Sequence, residues 1–218
     1  MQWLRQHSLS VVLIVLFGLF LTGQSVTGFR TYNQDQQEHG QPAVGFGEYL
    51  TSGHFIEATF ENWESEFLQM GAYVVLTAYL VQKGSAESKK LEDIEGPAGT
   101  PREPKKRNTP WPVRRGGWWL RLYEHSLSLA FILLFLMAFF LHAYGGAQET
   151  CQENMAHSEQ CVSTAGYMTT SKFWFESLQN WQSEFLAVFA IVVLSVFLRE
   201  KGSPESKPVA APHHQTGR

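Results

Sequence analysis

Asn62-Trp63-Glu64-Ser65-Glu66-Phe67 leads into one apolar run, and Asn180-Trp181-Gln182-Ser183-Glu184-Phe185 leads into another. The two stretches lie 118 positions apart. The same offset relates His7-Ser8-Leu9-Ser10 to His125-Ser126-Leu127-Ser128, and Lys83-Gly84-Ser85 to Lys201-Gly202-Ser203. A register kept from the first landmark to the last points to a unit that was copied in tandem.

Outward from these landmarks, the chain of 218 residues gathers its apolar side chains into four blocks. A mean hydropathy of −0.17 conceals this, because the segments between the blocks are strongly polar. Leu9 to Val26 and Leu127 to Ala143 are each long enough to cross a hydrocarbon core, which takes roughly 17–25 helical residues. Phe67 to Val81 and Phe185 to Leu198 reach that length only when Trp63 and Trp181 serve as their interfacial ends, where indoles prefer to sit. The expectation is therefore an all-α fold with four transmembrane helices, at about 9–26, 63–82, 126–143 and 181–199.

Charge orients them. From Gly28 to Glu66 one Arg faces seven acids, whereas Gln82 to Glu124 holds ten basic and six acidic residues. From His142 to Glu184 one Lys faces five acids, and from Arg199 onward there are four basic and two acidic residues. Basic residues thus alternate between rich and poor segments, which by the positive-inside rule puts both termini in the cytoplasm. Each two-helix unit crosses twice, so both copies insert in the same sense as parallel repeats. Arg5 followed by an apolar stretch has the look of a signal peptide, yet no small-x-small cleavage site follows Leu21. Its equivalent, Leu127 to Ala143, lies mid-chain, so the first block reads as an uncleaved span.

The boundaries follow. Residues 1–84 form the first two-helix repeat and 118–202 the second. Residues 85–117, rich in Pro, Gly and charge, form a disordered cytoplasmic linker, and 203–218 a flexible tail. Trp111, Trp118 and Trp119 among Arg114, Arg115 and Arg121 form an interfacial anchor for the third span. Before each second span an aromatic stripe, Phe55, Phe60, Trp63 and Phe67 or Phe173, Trp174, Leu178, Trp181 and Phe185, keeps helical spacing. One helix that starts outside the bilayer and continues inward explains this stripe. The competing reading breaks it at Ser65 and Ser183, where a Ser-Glu pair suits a helix start.

Chemistry is sparse. Cys151 and Cys161 share the second outer loop, where an oxidising environment favours a structural disulfide. Their register mates are Asn33 and Ala43, so the bridge is not part of the repeated design. Glu66 and Glu184 recur next to apolar spans, with Asn62, Asn180, Trp63 and Trp181 beside them. These six are the candidate binding residues, set against helix-start and interfacial roles. The eight histidines show no His-x-x-x-His or Glu-x-x-His spacing, so no metal site is expected. None of the spans carries an ionisable group near its middle, which disfavours a coupled transporter. No phosphate-cradling loop or nucleophile elbow is present, and no catalytic residue or cofactor is assigned. Lys105-Lys106-Arg107 suits anionic lipid better than nucleic acid, and Pro101-Arg102-Glu103-Pro104 is an isolated Pro-x-x-Pro.

His39-Gly40-Gln41-Pro42, Glu48-Tyr49-Leu50, Ser52-Gly53-His54-Phe55 and Glu61 to Gln69 together resemble a family of small bacterial membrane proteins of unknown function. The second copy departs from that pattern with Gln182 for Glu64 and a Cys-bearing loop. The resemblance implies a multi-pass protein of the bacterial inner membrane and supplies no activity. The expected role is a non-enzymatic structural or partner-binding component in the lipid bilayer, its partner another membrane protein or a second copy of itself. The alternative is a small channel or transport component with an acidic outer vestibule. An enzyme built from loop Glu and His residues ranks last.

Overall fold

The computed structural model describes residues 2–89, 109–156 and 160–217, and among these residues every regular element is a helix. In chain order these are α1 (Gln2–Gln6), α2 (Ser8–Glu38), α3 (Phe46–Tyr49), α4 (Gly53–Tyr79), α5 (Trp111–Arg115), α6 (Gly117–Glu124), α7 (Ser126–Ala156), α8 (Thr164–Tyr167) and α9 (Ser171–Phe197). The starts of α2 and α7, of α3 and α8, and of α4 and α9 are each separated by 118 residues. Helices α4 and α9 run unbroken through Ser65 and Ser183, so the single-helix reading holds at both places.

Among the described residues three helices, α2, α7 and α9, are long and apolar enough to cross a membrane. Along α2 the side chains of Leu13, Ile14, Val15, Phe17, Leu19 and Phe20 are all exposed, which a water-facing helix does not tolerate. Its hydroxyls are hidden by turning back on their own helix: Thr22 donates to Gly18 O at 2.7 Å, Ser25 to Leu21 O at 2.7 Å and Thr27 to Gly23 O at 2.8 Å. Helix α4 has the same length as α9 but carries Glu57, Glu61, Glu64 and Glu66 in its first half.

The chain divides into two compact units, with boundaries inside α4, α7 and α9. Unit 1 comprises Met1–Phe60 and Phe140–Phe173. Here α2 ends at Gly40, whose φ of 71° is open to glycine without strain. Gln41 N reaches Gln36 O at 2.8 Å and Gly40 N reaches Gln37 O at 3.1 Å, the paired bonds that close a helix end of this kind. The one-turn helices α3 and α8 then present equivalent aromatics, Tyr49 and Tyr167, each 1% exposed. Tyr49 lies against Gly28 and Tyr167 against Gly146, again 118 positions apart, and a Cβ at either glycine would collide with the phenol.

Unit 2 comprises Glu61–Phe139 and Trp174–Arg218. Within it the second part of α4 packs on α7 closely enough that a Cβ at Gly71 would stand 3.1 Å from Phe131 Cβ. Small residues permit such an approach between apolar helices. Ahead of α7, the Arg115 guanidinium lies 5.1 Å from the Trp111 ring and 5.5 Å from the Trp119 ring. The region expected as a linker, 85–117, therefore contains one short helix, α5, and ends at the first residue of α6; Lys105-Lys106-Arg107 and the Pro101–Pro104 stretch lie outside the described residues. Residues 203–217, expected as a flexible tail, are held in turns around Lys207, which is 1% exposed. Its ammonium donates to the carbonyls of Pro212, His213 and Gln215 at 3.3, 2.9 and 3.0 Å. A buried ammonium needs such partners, and no periodicity or composition signal announces them.

Candidate functional site

In unit 1, two glycines let α4 and α7 touch backbone to backbone. A Cβ at Gly53 would strike Glu149 N and Gly145 O, and a Cβ at Gly145 would strike Glu57 N. This crossing sets Glu57 beside the α8 and α9 residues that hold it. Tyr167 Oη donates to Glu57 Oε1 at 2.8 Å, and Lys172 Nζ stands 3.6 Å from the same oxygen. His142, with no exposed surface, meets the Phe173 ring at 4.9 Å with the planes tilted by 31°, and one of its ring nitrogens lies within 4.8 Å of the Glu57 carboxylate.

One helical turn away the polar side chains open onto a cleft of about 1220 Å³. Asp35, Glu48, Glu149 and Glu153 supply its charge, with His39 at the edge, and among the described residues neither Lys nor Arg lines it. Amides and hydroxyls fill the rest of the wall. Tyr32 Oη donates to Gln152 Oε1 at 3.0 Å and accepts from Gln36 Nε2 at 2.8 Å, which ties α2 to α7 across the floor. Glu149 Oε2 is buried and has no hydrogen-bond partner among the described residues. Burial pushes the Tyr49 phenol up, and the negative charge of Glu149 adds to it. Burial likewise holds the His54 imidazole below its ordinary value despite the opposing pull of Asp35.

Two clamps shape the loops that wall the cleft. In the first, Asn33 Oδ1 accepts from Val44 N at 2.7 Å and Asn33 Nδ2 donates to Val44 O at 3.2 Å. In the second, Cys151 and Cys161 are joined by a disulfide. Asn33 and Cys151 occupy equivalent positions, so an amide pair and a covalent bridge do the same work in the two halves of the sequence.

The six residues singled out from sequence belong to unit 2, away from this cleft in the chain. Asn180 Nδ2 donates to Glu61 Oε1, and Trp181 Nε1 donates to Glu64 Oε1 at 3.2 Å. Trp181 also meets Phe135 and Trp174 edge-on at 6.1 and 6.3 Å. Glu66 is exposed and Glu184 half-buried, within electrostatic reach of each other, while Gln69 Nε2 donates to Glu184 O at 2.8 Å. Asn62 is exposed and Trp63 half-buried; Ser65 donates to Asn62 O at 2.7 Å and Ser183 to Asn180 O at 2.8 Å.

Sequence reasoning passed over Glu61 and Glu64, the acids that hold Asn180 and Trp181. Glu64 has no exposed surface. Their register mates are the amides Gln179 and Gln182, and that acid-to-amide change was the available signal. It also passed over the cleft, whose walls come from segments more than a hundred residues apart, although the loops' excess of acid pointed there.

Neither the curated proteins nor the solved structures contain a match to this chain. One family model does match, over residues 1–218, and by it the chain belongs to the family described as Domain of unknown function (DUF6766).

Proposed function

We propose that the protein is a non-enzymatic component of the bacterial inner membrane that binds an organic cation in the cleft of unit 1. In this reading it crosses the bilayer four times, in two parallel copies of a two-helix unit, with both termini in the cytoplasm. What supports the copying is the common offset of 118 residues between helix starts, together with the Gly28–Tyr49 and Gly146–Tyr167 pairs. What supports a fourth span is the apolar second half of α4, from Phe67 to Tyr79, bounded by Trp63. The cleft then opens on the outer side, because its walls follow the first and third spans in the chain.

The observation that carries the binding reading is a cavity of about 1220 Å³ lined by four carboxylates and, among the described residues, by neither Lys nor Arg. That volume far exceeds the need of a single metal ion and lies somewhat above the roughly 300–1,000 Å³ of small-molecule clefts, enough for an extended ligand. A cation entering it would find a negative field focused by low-dielectric walls, and Glu149 Oε2 would gain the partner it lacks. The partner presenting that cation is a free ligand or a membrane protein with a basic segment.

Spermidine titrated calorimetrically into the detergent-solubilised chain tests this. Binding is expected at low salt and is expected to weaken as ionic strength rises. Glu149→Gln combined with Glu153→Gln should weaken it by roughly tenfold, about 1.4 kcal/mol. Heat that is absent, or identical in the double variant, counts against the proposal.

A further inference from the structure

The landmark Lys83-Gly84-Ser85 extends further than its first three residues. Lys83-Gly84-Ser85-Ala86-Glu87-Ser88-Lys89 is matched by Lys201-Gly202-Ser203-Pro204-Glu205-Ser206-Lys207, six identities in seven. Both heptads belong to unit 2 and adopt one turn. Gly84 and Gly202 take φ of 87° and 86°. Gln82 N donates to Ser88 Oγ at 2.9 Å, and Glu200 N donates to Ser206 Oγ at 2.9 Å. Ser85 Oγ accepts from Glu87 N at 3.2 Å, and Ser203 Oγ accepts from Glu205 N at 3.1 Å.

The two turns differ in what covers them. Over the first lies the C-terminal segment: Gly84 N donates to Thr216 Oγ1 at 2.9 Å, and Gly217 N donates to Ser85 O at 2.9 Å. Ser85 has no exposed surface, Ala86 is 6% exposed and Ser88 8%. Over the second lies open space at Gly202, and Lys201, Gly202, Pro204 and Glu205 are exposed.

We infer that residues 207–217 are a latch, which docks on the first Lys-Gly-Ser-x-Glu-Ser-Lys turn and hides it while the second stays on display. Lys207 is the tie that makes the latch one body, since its three carbonyl partners lie within the docked segment. Arg199 and His213 fasten it to α9: Arg199 Nη2 donates to Ala211 O at 3.1 Å, and His213 Nδ1 pairs with Val196 O at 3.1 Å. The His213 ring lies 5.9 Å from Phe197 of α9, while the contacts of the latch with the turn itself come from backbone groups and the Thr216 hydroxyl. Contacts of that kind open locally at low cost. Docked, the chain presents Lys201 to Glu205 of the second turn; undocked, it presents two turns that differ only at Ala86 and Pro204. A partner that reads this heptad twice, such as a symmetric dimer, would engage only the undocked form, with the gain that paired sites confer.

Single-cysteine variants of the full chain in detergent, with the native bridge intact, test the latch by maleimide labelling. Ser85→Cys is expected to label at least about tenfold more slowly than Ser203→Cys. Adding Lys207→Met, or ending the chain after Ser206, should bring the Ser85→Cys rate up to that of Ser203→Cys. Hydrogen exchange of the Gly84 and Gly202 amides in the unsubstituted chain reads the same difference without touching Ser85, and Thr216→Val should speed Gly84 alone. Equal labelling of the two cysteines, equal exchange of the two glycines, or a Ser85→Cys rate indifferent to both Lys207→Met and truncation would overturn the inference.

Discussion

Asn33 and Cys151 hold the same place in the two halves of the sequence and fasten the same kind of loop, one by hydrogen bonds and the other by a covalent bond. The difference separates what the backbone requires from how side chains supply it. Each long helix must turn back into a one-turn helix that delivers a buried tyrosine, Tyr49 or Tyr167, onto a glycine. The fastening is interchangeable. The same lesson repeats in unit 2, where Glu61 and Glu64 grip Asn180 and Trp181 while their mates Gln179 and Gln182 are exposed. A carboxylate binds an indole or amide N–H more strongly than a neutral acceptor does. The grip therefore runs in one direction, from α4 to α9.

Breaking the covalent clamp should have the largest effect. With ten residues of separation between its cysteines, the bridge contributes about 3 kcal/mol in the chain-entropy account, so Cys151→Ser with Cys161→Ser should lower the unfolding midpoint most. Thermal unfolding in detergent, with reductant as a second route to the same state, checks it. Next come the tyrosine seats. Gly146→Ala places a methyl on the Tyr167 ring, and Gly28→Ala places one on the Tyr49 hydroxyl end. Overpacking of this sort costs about 2 kcal/mol, and the ring collision should cost more than the hydroxyl one. The reverse order in paired melting curves would mean the two seats are not equivalent. The smallest effect belongs to Asn33→Ala, at about 1 kcal/mol for the amide pair, and reductant should leave that loss unchanged.

The recurrence of the helices was legible because the 118-residue offset between landmarks in the sequence is also the offset between helix starts. His7 and His125, and Gly84 and Gly202, mark the same boundaries in sequence and in structure. Glu66 and Glu184 were conspicuous for the same reason, yet repetition alone does not say what a residue touches. Glu64 shows the converse. Its burial depends on Trp181, 117 positions away, and no local pattern encodes that meeting. The tail misled through composition. Polar, Pro-containing segments usually lack a core to fold onto, but Lys207 replaces that core with three carbonyls of its own segment.

The arginine set between two indoles ahead of α7 has a mechanical consequence. Guanidinium and indole both favour the headgroup layer, so if α7 spans a bilayer this cassette would pin the depth of the apolar helix that follows it. Sliding the helix would pull charge and rings out of that layer together. In a bilayer thinner or thicker than its apolar length, α7 would therefore lean about the cassette as a pivot rather than shift along its own axis.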